Sequence, residues 1–88
     1  MTRKIEQHIK DKLLKVGARL RSVRKQKGYT NYDHFAYEHN MSRSQYGKYE
    51  TGSDMHLSTL FKLLEAHNMT IQEFFSEGFE IPPKEEDS

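Results

Sequence analysis

The sequence predicts an all-α protein, a small bundle of five helices preceded by a helical extension and followed by a short acidic tail. Three observations predict it. Apolar residues recur at three- and four-residue intervals from Ile5 to Val23 and again from Leu57 to Leu64, the spacing that lines one side of a helix. No segment has the strict apolar–polar alternation of a half-buried strand. The stretch from Ala36 to Glu50, AYEHNMSRSQYGKYE, sets small and apolar residues where two crossed helices joined by a tight turn need them.

The first helix is long, because Ile5, Ile9, Leu13, Val16, Leu20 and Val23 form one continuous apolar stripe. Gly17 is a candidate break within it, and Gly28 ends it. Residues 1–12 form a basic extension, residues 13–78 the main domain, and residues 79–88 a flexible acidic tail. A second helix is expected from about Asn31 to His39, with Phe35 and Ala36 inward. Asn40 tolerates the left-handed conformation that ends such a helix, and Met41 then drops into the core.

Ser42 is a good N-cap for a third helix running from about Arg43 to Thr51. Tyr46 and Tyr49 lie three residues apart and share its buried face. Ser44, Gly47 and Lys48 therefore project to the other side, with Arg43 at the exposed N-terminal flank and Thr51 close below. Gly52 suits the position past the C-cap. After a loop to His56, the residues Leu57, Leu60, Phe61, Leu63 and Leu64 make a fourth helix that is apolar on more than one side, as a central element would be. Thr70-Ile71-Gln72-Glu73 is a capping box opening a fifth, in which Ile71, Phe74 and Phe75 return to the core and which ends at Gly78. Ile81-Pro82-Pro83 and the KEEDS tail cannot continue a helix. Tyr29, Tyr32 and Tyr37 are expected at the edge of the core.

Composition narrows the chemistry. With 88 residues and 34% apolar side chains, the chain is expected to build one modest core and no separate sensing or catalytic domain. The absence of cysteine excludes disulfides and thiolate metal sites and suits a reducing cytoplasm, the expected location. No apolar run approaches the ~20 residues of a membrane span, and the basic N-terminus lacks the apolar block of a signal peptide. His8, His34, His39, His56 and His67 lack the His-x-x-x-His spacing of a helical metal site and are expected at the surface, save for His67, which is expected to pack near the fourth helix. There is no Gly-rich phosphate loop and no nucleophile with an evident base, so catalysis is not expected. Neither a cofactor nor a small-molecule ligand is called for.

Charge is more informative by position than in sum. The formal net charge is +1, yet Arg3, Lys4, Lys10, Lys12, Lys15, Arg19, Arg21, Arg24, Lys25 and Lys27 crowd the N-terminal third against Glu6 and Asp11 alone. From Glu73 onward the sign reverses, with Lys84 the single cation. A solvated helix face accounts for a basic run of this kind, and phosphate contact by some of it is the functional alternative. On the third helix, an N-terminal turn carrying Arg43, Ser44 and Lys48 can meet phosphate through free N–H groups and the helix dipole, and base edges through Arg and Lys donors. Ordinary surface exposure would explain the same residues, Ser44 most easily, because a hydroxyl can bond many base edges and specify few.

From Gly17 to Phe75 the sequence resembles the lambda-repressor-like helix-turn-helix domain of the Cro/C1-type, or XRE, family. The resemblance rests on GARLRSVRKQKG for the first helix, FAYEHNMSRSQYGKYETG for the helix-turn-helix and LSTLFKLLEAHNMTIQEFF for the fourth and fifth helices. It implies that the third helix enters the major groove while the preceding helix and the following loop hold phosphates. Carried over position by position, Arg43, Ser44 and Lys48 would face bases. Ser42, Gln45, Thr51 and Ser53 would contact the backbone, with Asn31 or Tyr32 at the start of the second helix. Two departures stand out. One extra residue between Gly28 and Ala36 leaves Thr30 or Asn31 as the cap, and Tyr32 replaces the usual polar phosphate contact, so its ring either donates to phosphate or packs against the first helix. Gly47 within the reading helix costs about 1 kcal/mol relative to Ala, and either permits close approach to DNA or is simply tolerated.

The expectation is a bacterial or phage-type transcriptional regulator that occupies an operator in double-stranded DNA as a homodimer on a palindrome. The dimer surface would be either the stripe at Ile5 and Ile9 or the fifth helix near Phe74, Phe75 and Phe79. Two alternatives stay open: a DNA-binding antitoxin paired with a toxin, and a protein-interaction module that kept the fold without DNA contact.

Overall fold

Residues 5–79 are described in the computed structural model, and they form five helices joined by short turns: α1 (Gln7–Gln26), α2 (Tyr32–Glu38), α3 (Arg43–Glu50), α4 (Leu57–Ala66) and α5 (Ile71–Phe74). No strand occurs among the described residues. Apart from Phe79, the tail lies outside them, as do Arg3 and Lys4 of the basic run.

Local chemistry sets most of the boundaries. Asn31 caps α2, its side chain accepting from the His34 N–H at 2.9 Å, so Asn31 rather than Thr30 takes that role. Asn40 adopts φ 59°, which turns the chain and lets the Met41 N–H donate to the Ala36 carbonyl at 2.8 Å. Ser42 caps α3, accepting from the Gln45 N–H at 3.3 Å, and Gly52 at φ 101° closes its other end, with Thr51 as the C-cap. α5 opens with the reciprocal capping box of Thr70 and Glu73.

The core gathers Leu20, Phe35, Ala36, Tyr46, Leu60, Leu63, Leu64 and Phe74, one or more from every helix. α3 packs against both α1 and α2, and α4 against α5. Burying these side chains supplies the main favourable term, because an eight-residue helix such as α3 is not stable on its own in water.

Several expectations are corrected. Gly17 does not interrupt α1, which continues through it. α4 turns one side inward: Leu60, Leu63 and Leu64 are buried, whereas Leu57 and Phe61 are exposed. On α5 only Phe74 is buried, and Ile71 and Phe75 face outward because a helix of four residues can offer one inward position to the bundle. Met41 and Tyr49 are half-buried, and Tyr37 is 76% exposed rather than at the core's edge. His67, the C-cap of α4, is fully buried and its ring stacks on Phe35 of α2 at 4.3 Å.

Two cations of the basic run also turn inward. Arg19 donates from Nε to the Phe74 carbonyl at 2.7 Å and from Nη2 to the Glu73 carbonyl at 2.9 Å, satisfying the end of α5. Arg24 reaches across to Glu50 of α3.

Candidate nucleic-acid interface

α3 is held on its inner side by contacts that settle which residues face out. Tyr46 is 1% exposed and packs on Phe35 at 5.1 Å. Glu50, one turn later, accepts two charge-assisted hydrogen bonds from Arg24, at 2.7 Å from Nε and 3.0 Å from Nη2, with both side chains buried. The remaining Arg24 nitrogen, Nη1, donates to the Tyr29 carbonyl at 2.8 Å, so the guanidinium ties α1 to α3 and to the turn before α2. The bond to Glu50 raises the Arg24 pKa above its ordinary value, outweighing the cost of burial. Burial is likewise the chief reason that the Tyr46 hydroxyl, beside that carboxylate, is pushed far up and stays neutral.

Gly17 completes the clamp. A Cβ there would stand 2.5 Å from the Glu50 carbonyl oxygen and 2.7 Å from that of Tyr49, so α1 and α3 meet backbone to backbone at a point only glycine allows. Gly47 has a related explanation. It is buried beneath the Tyr32 ring, whose Cε1 would lie 2.7 Å from an added Cβ. Gly47 therefore does not project into the open with Ser44 and Lys48, and the Tyr32 ring packs on α3.

The outward side carries Ser44, Lys48 and Thr51, spaced four and three residues apart and all exposed, with Arg43 and Gln45 exposed at the N-terminal turn. Arg43 and Lys48 make no ion pair among the described residues. The polar groups around them are partly engaged within the fold. The Gln45 amide donates to the Tyr49 hydroxyl at 3.0 Å, and the Thr51 hydroxyl to the Lys48 carbonyl at 2.9 Å. The Ser42 and Ser44 hydroxyls are 3.5 Å apart. Ser53 is half-buried in the loop beyond α3, its N–H donating to the Lys48 carbonyl at 3.0 Å. Asn31 and Tyr32 stand exposed at the start of α2.

Sequence reasoning missed the clamp of Gly17, Arg24 and Glu50, because its α1 members lie 26 or more residues from Glu50 and each has a plain local reading: helix break, basic run, helix end. No group of His, Asp and Glu that could hold a metal ion occurs among the described residues, and no described helix is long and apolar enough to cross a membrane.

Comparison with known proteins agrees with this geometry. A family model for the helix-turn-helix domain matches residues 20–74. No curated protein and no solved structure matches the chain significantly. The match begins inside α1 and ends at the last residue of α5, so it takes in the clamp residue Arg24, both helices of the motif and the whole of α4. The chain belongs to the helix-turn-helix family, of the Cro/C1 type, a DNA-binding domain of the kind found in transcriptional regulators.

Proposed function

We propose that this protein binds a specific sequence in duplex DNA as a transcriptional regulator of bacterial or phage type, with α3 seated in the major groove. Arg43, Ser44 and Lys48 read base edges, while Ser42, Gln45, Thr51, Ser53, Asn31 and Tyr32 position the phosphates. The observation that carries this reading is the one-sidedness of α3: its inner face is locked by Tyr46 and the Arg24–Glu50 pair, and its outer face offers the exposed row of Ser44, Lys48 and Thr51, with Arg43 exposed at its N-terminal turn and neither cation ion-paired among the described residues. A module of this size covers few base pairs, so useful selectivity calls for a homodimer on a palindrome. Exposed Ile9 on α1, and exposed Phe75 with half-buried Phe79 after α5, are the two apolar surfaces we favour for it. Phe74, fully buried, serves the core instead. Residues 1–12 add a basic extension to the domain at 13–78, and the protein works in the cytoplasm without a cofactor.

Selection of bound sequences from a random duplex library tests this. The unmodified chain should yield a palindromic motif, and Arg43→Ala and Lys48→Ala should each relax selection at particular positions at a cost of about 1–3 kcal/mol. Uniform weakening across all sequences would reduce both side chains to phosphate contacts, and absence of duplex binding at low salt would overturn the reading.

A further inference from the structure

A groove outside the helix-turn-helix runs along α1 where that helix passes the C-terminal end of α3. It is lined on the α1 side by Leu14, Ala18, Arg21, Ser22 and Lys25, and on the α3 side by Thr51. Leu14, Ala18, Arg21 and Lys25 follow one another at intervals of four, three and four residues and so share one face of α1. All four are exposed, and Leu14 lies against Gly52, where an added Cβ would stand 2.8 Å from its Cδ2. The groove is thus an apolar trough with a cationic edge, opening beside the residue that ends the outward row of α3.

Its charge is uncompensated. Glu50 also borders the groove, but its carboxylate is consumed by the two bonds from buried Arg24. Arg21 and Lys25 have no ion-pair partner among the described residues. Four residues of helix separate them by about 6 Å along the axis, which lets both serve neighbouring phosphates of one strand. We propose that Arg21 and Lys25, with the Ser22 hydroxyl beside them, form a second phosphate-binding surface that grips the DNA backbone alongside the groove occupied by α3, the sugars resting on Leu14 and Ala18. This rests on the DNA-binding reading above and extends the interface from the motif onto α1. Arg19 and Arg24 take no part, since both guanidinium groups are bonded inside the fold.

The test is the salt dependence of binding by the full chain to a duplex of fixed sequence, read by fluorescence anisotropy between low and physiological salt. Each lost phosphate contact should flatten the plot of log K against log salt by about 0.9. Arg21→Ala with Lys25→Ala should therefore flatten it by about 1.8, and weaken selected and unselected duplexes by the same factor, because backbone contacts carry no sequence information. Lys12→Ala, an exposed α1 cation that does not line the groove, controls for charge alone and should leave the slope unchanged. A slope unchanged in the double variant, or flattened equally by Lys12→Ala, would overturn the proposal while leaving α3 as the reading helix. If the unmodified chain binds no duplex at all, the function proposed above fails and the groove's role with it.

Discussion

His67 should make the fold acid-labile well above the range in which its carboxylates titrate. The ring is 1% exposed, neither ring nitrogen has a hydrogen-bond partner, and it lies flat on Phe35 at 4.3 Å and 7°. Burial, followed by the nearby charges of Lys27, His39 and Arg24, lowers its pKa from 6.5 to about 4. Because the folded value lies below the unfolded one, the unfolded chain takes up the proton first as pH falls. The stabilisation is complete above about 6.5 and drains away between there and about 4. The full difference is on the order of 3 kcal/mol, of which about 2 kcal/mol is lost by pH 5. For a domain this small, that lowers the melting temperature by about 10 °C. Melts followed by far-UV circular dichroism at pH 7 and pH 5 read the effect before Glu38 enters. That carboxylate, held low by the Tyr29 hydroxyl and then by His34, contributes only below its ordinary 4.5. His67→Leu removes both unpartnered nitrogens at similar volume, so it should hold stability at pH 7 and shrink the difference between the two melts to a small fraction. Coincident wild-type melts at the two pH values, or an equal difference in His67→Leu, would refute the argument.

Two further perturbations address the clamp behind α3. Gly17→Ala gains about 1 kcal/mol of helix propensity, but its Cβ would stand 2.5 Å from a backbone oxygen that cannot swing aside; separating α1 from α3 costs about 1–3 kcal/mol, so thermal melts should show net destabilisation and anisotropy a weaker complex with duplex. Glu50→Ala leaves Arg24 buried without its partner and should lower stability by about 3–5 kcal/mol in urea denaturation, whereas Arg24→Met combined with Glu50→Leu, which removes both charges, should recover most of that loss.

What was legible in the sequence is what neighbouring residues decide among themselves. Ser42, Asn40, Gly52 and the Thr70–Glu73 box each act within four or five residues, so the turn, the caps and the identity of α3 followed from local chemistry. The outward direction of Ser44 and Lys48 was legible for the same reason, since helical spacing sets them opposite Tyr46, but the same spacing also placed Gly47 outward, where the Tyr32 ring covers it. The rest depends on contacts between distant segments. Nothing near Gly47 announces that Tyr32 will lie across it, and nothing near His67 announces that Phe35 will stack on it. The basic run was misjudged in part because charge pattern cannot separate Arg19 and Arg24, which face into the fold, from Arg21 and Lys25, which face out. Four residues of one helix carry like charge and face opposite ways, and only the partners Phe74, Glu73 and Glu50 tell them apart.

This division has a consequence for how the protein addresses its target. α3 spans eight residues and has no independent stability, so the direction in which its outer row points is inherited from what grips its inner side. Two of those grips, the backbone contact at Gly17 and the Arg24–Glu50 pair, come from α1, which also carries the exposed row of Arg21 and Lys25. One rigid helix thereby sets the spacing between the row proposed to read bases and the row proposed to grip phosphates. A change at Gly17 should tilt the two rows relative to each other, costing affinity through geometry even where every contacting side chain is retained.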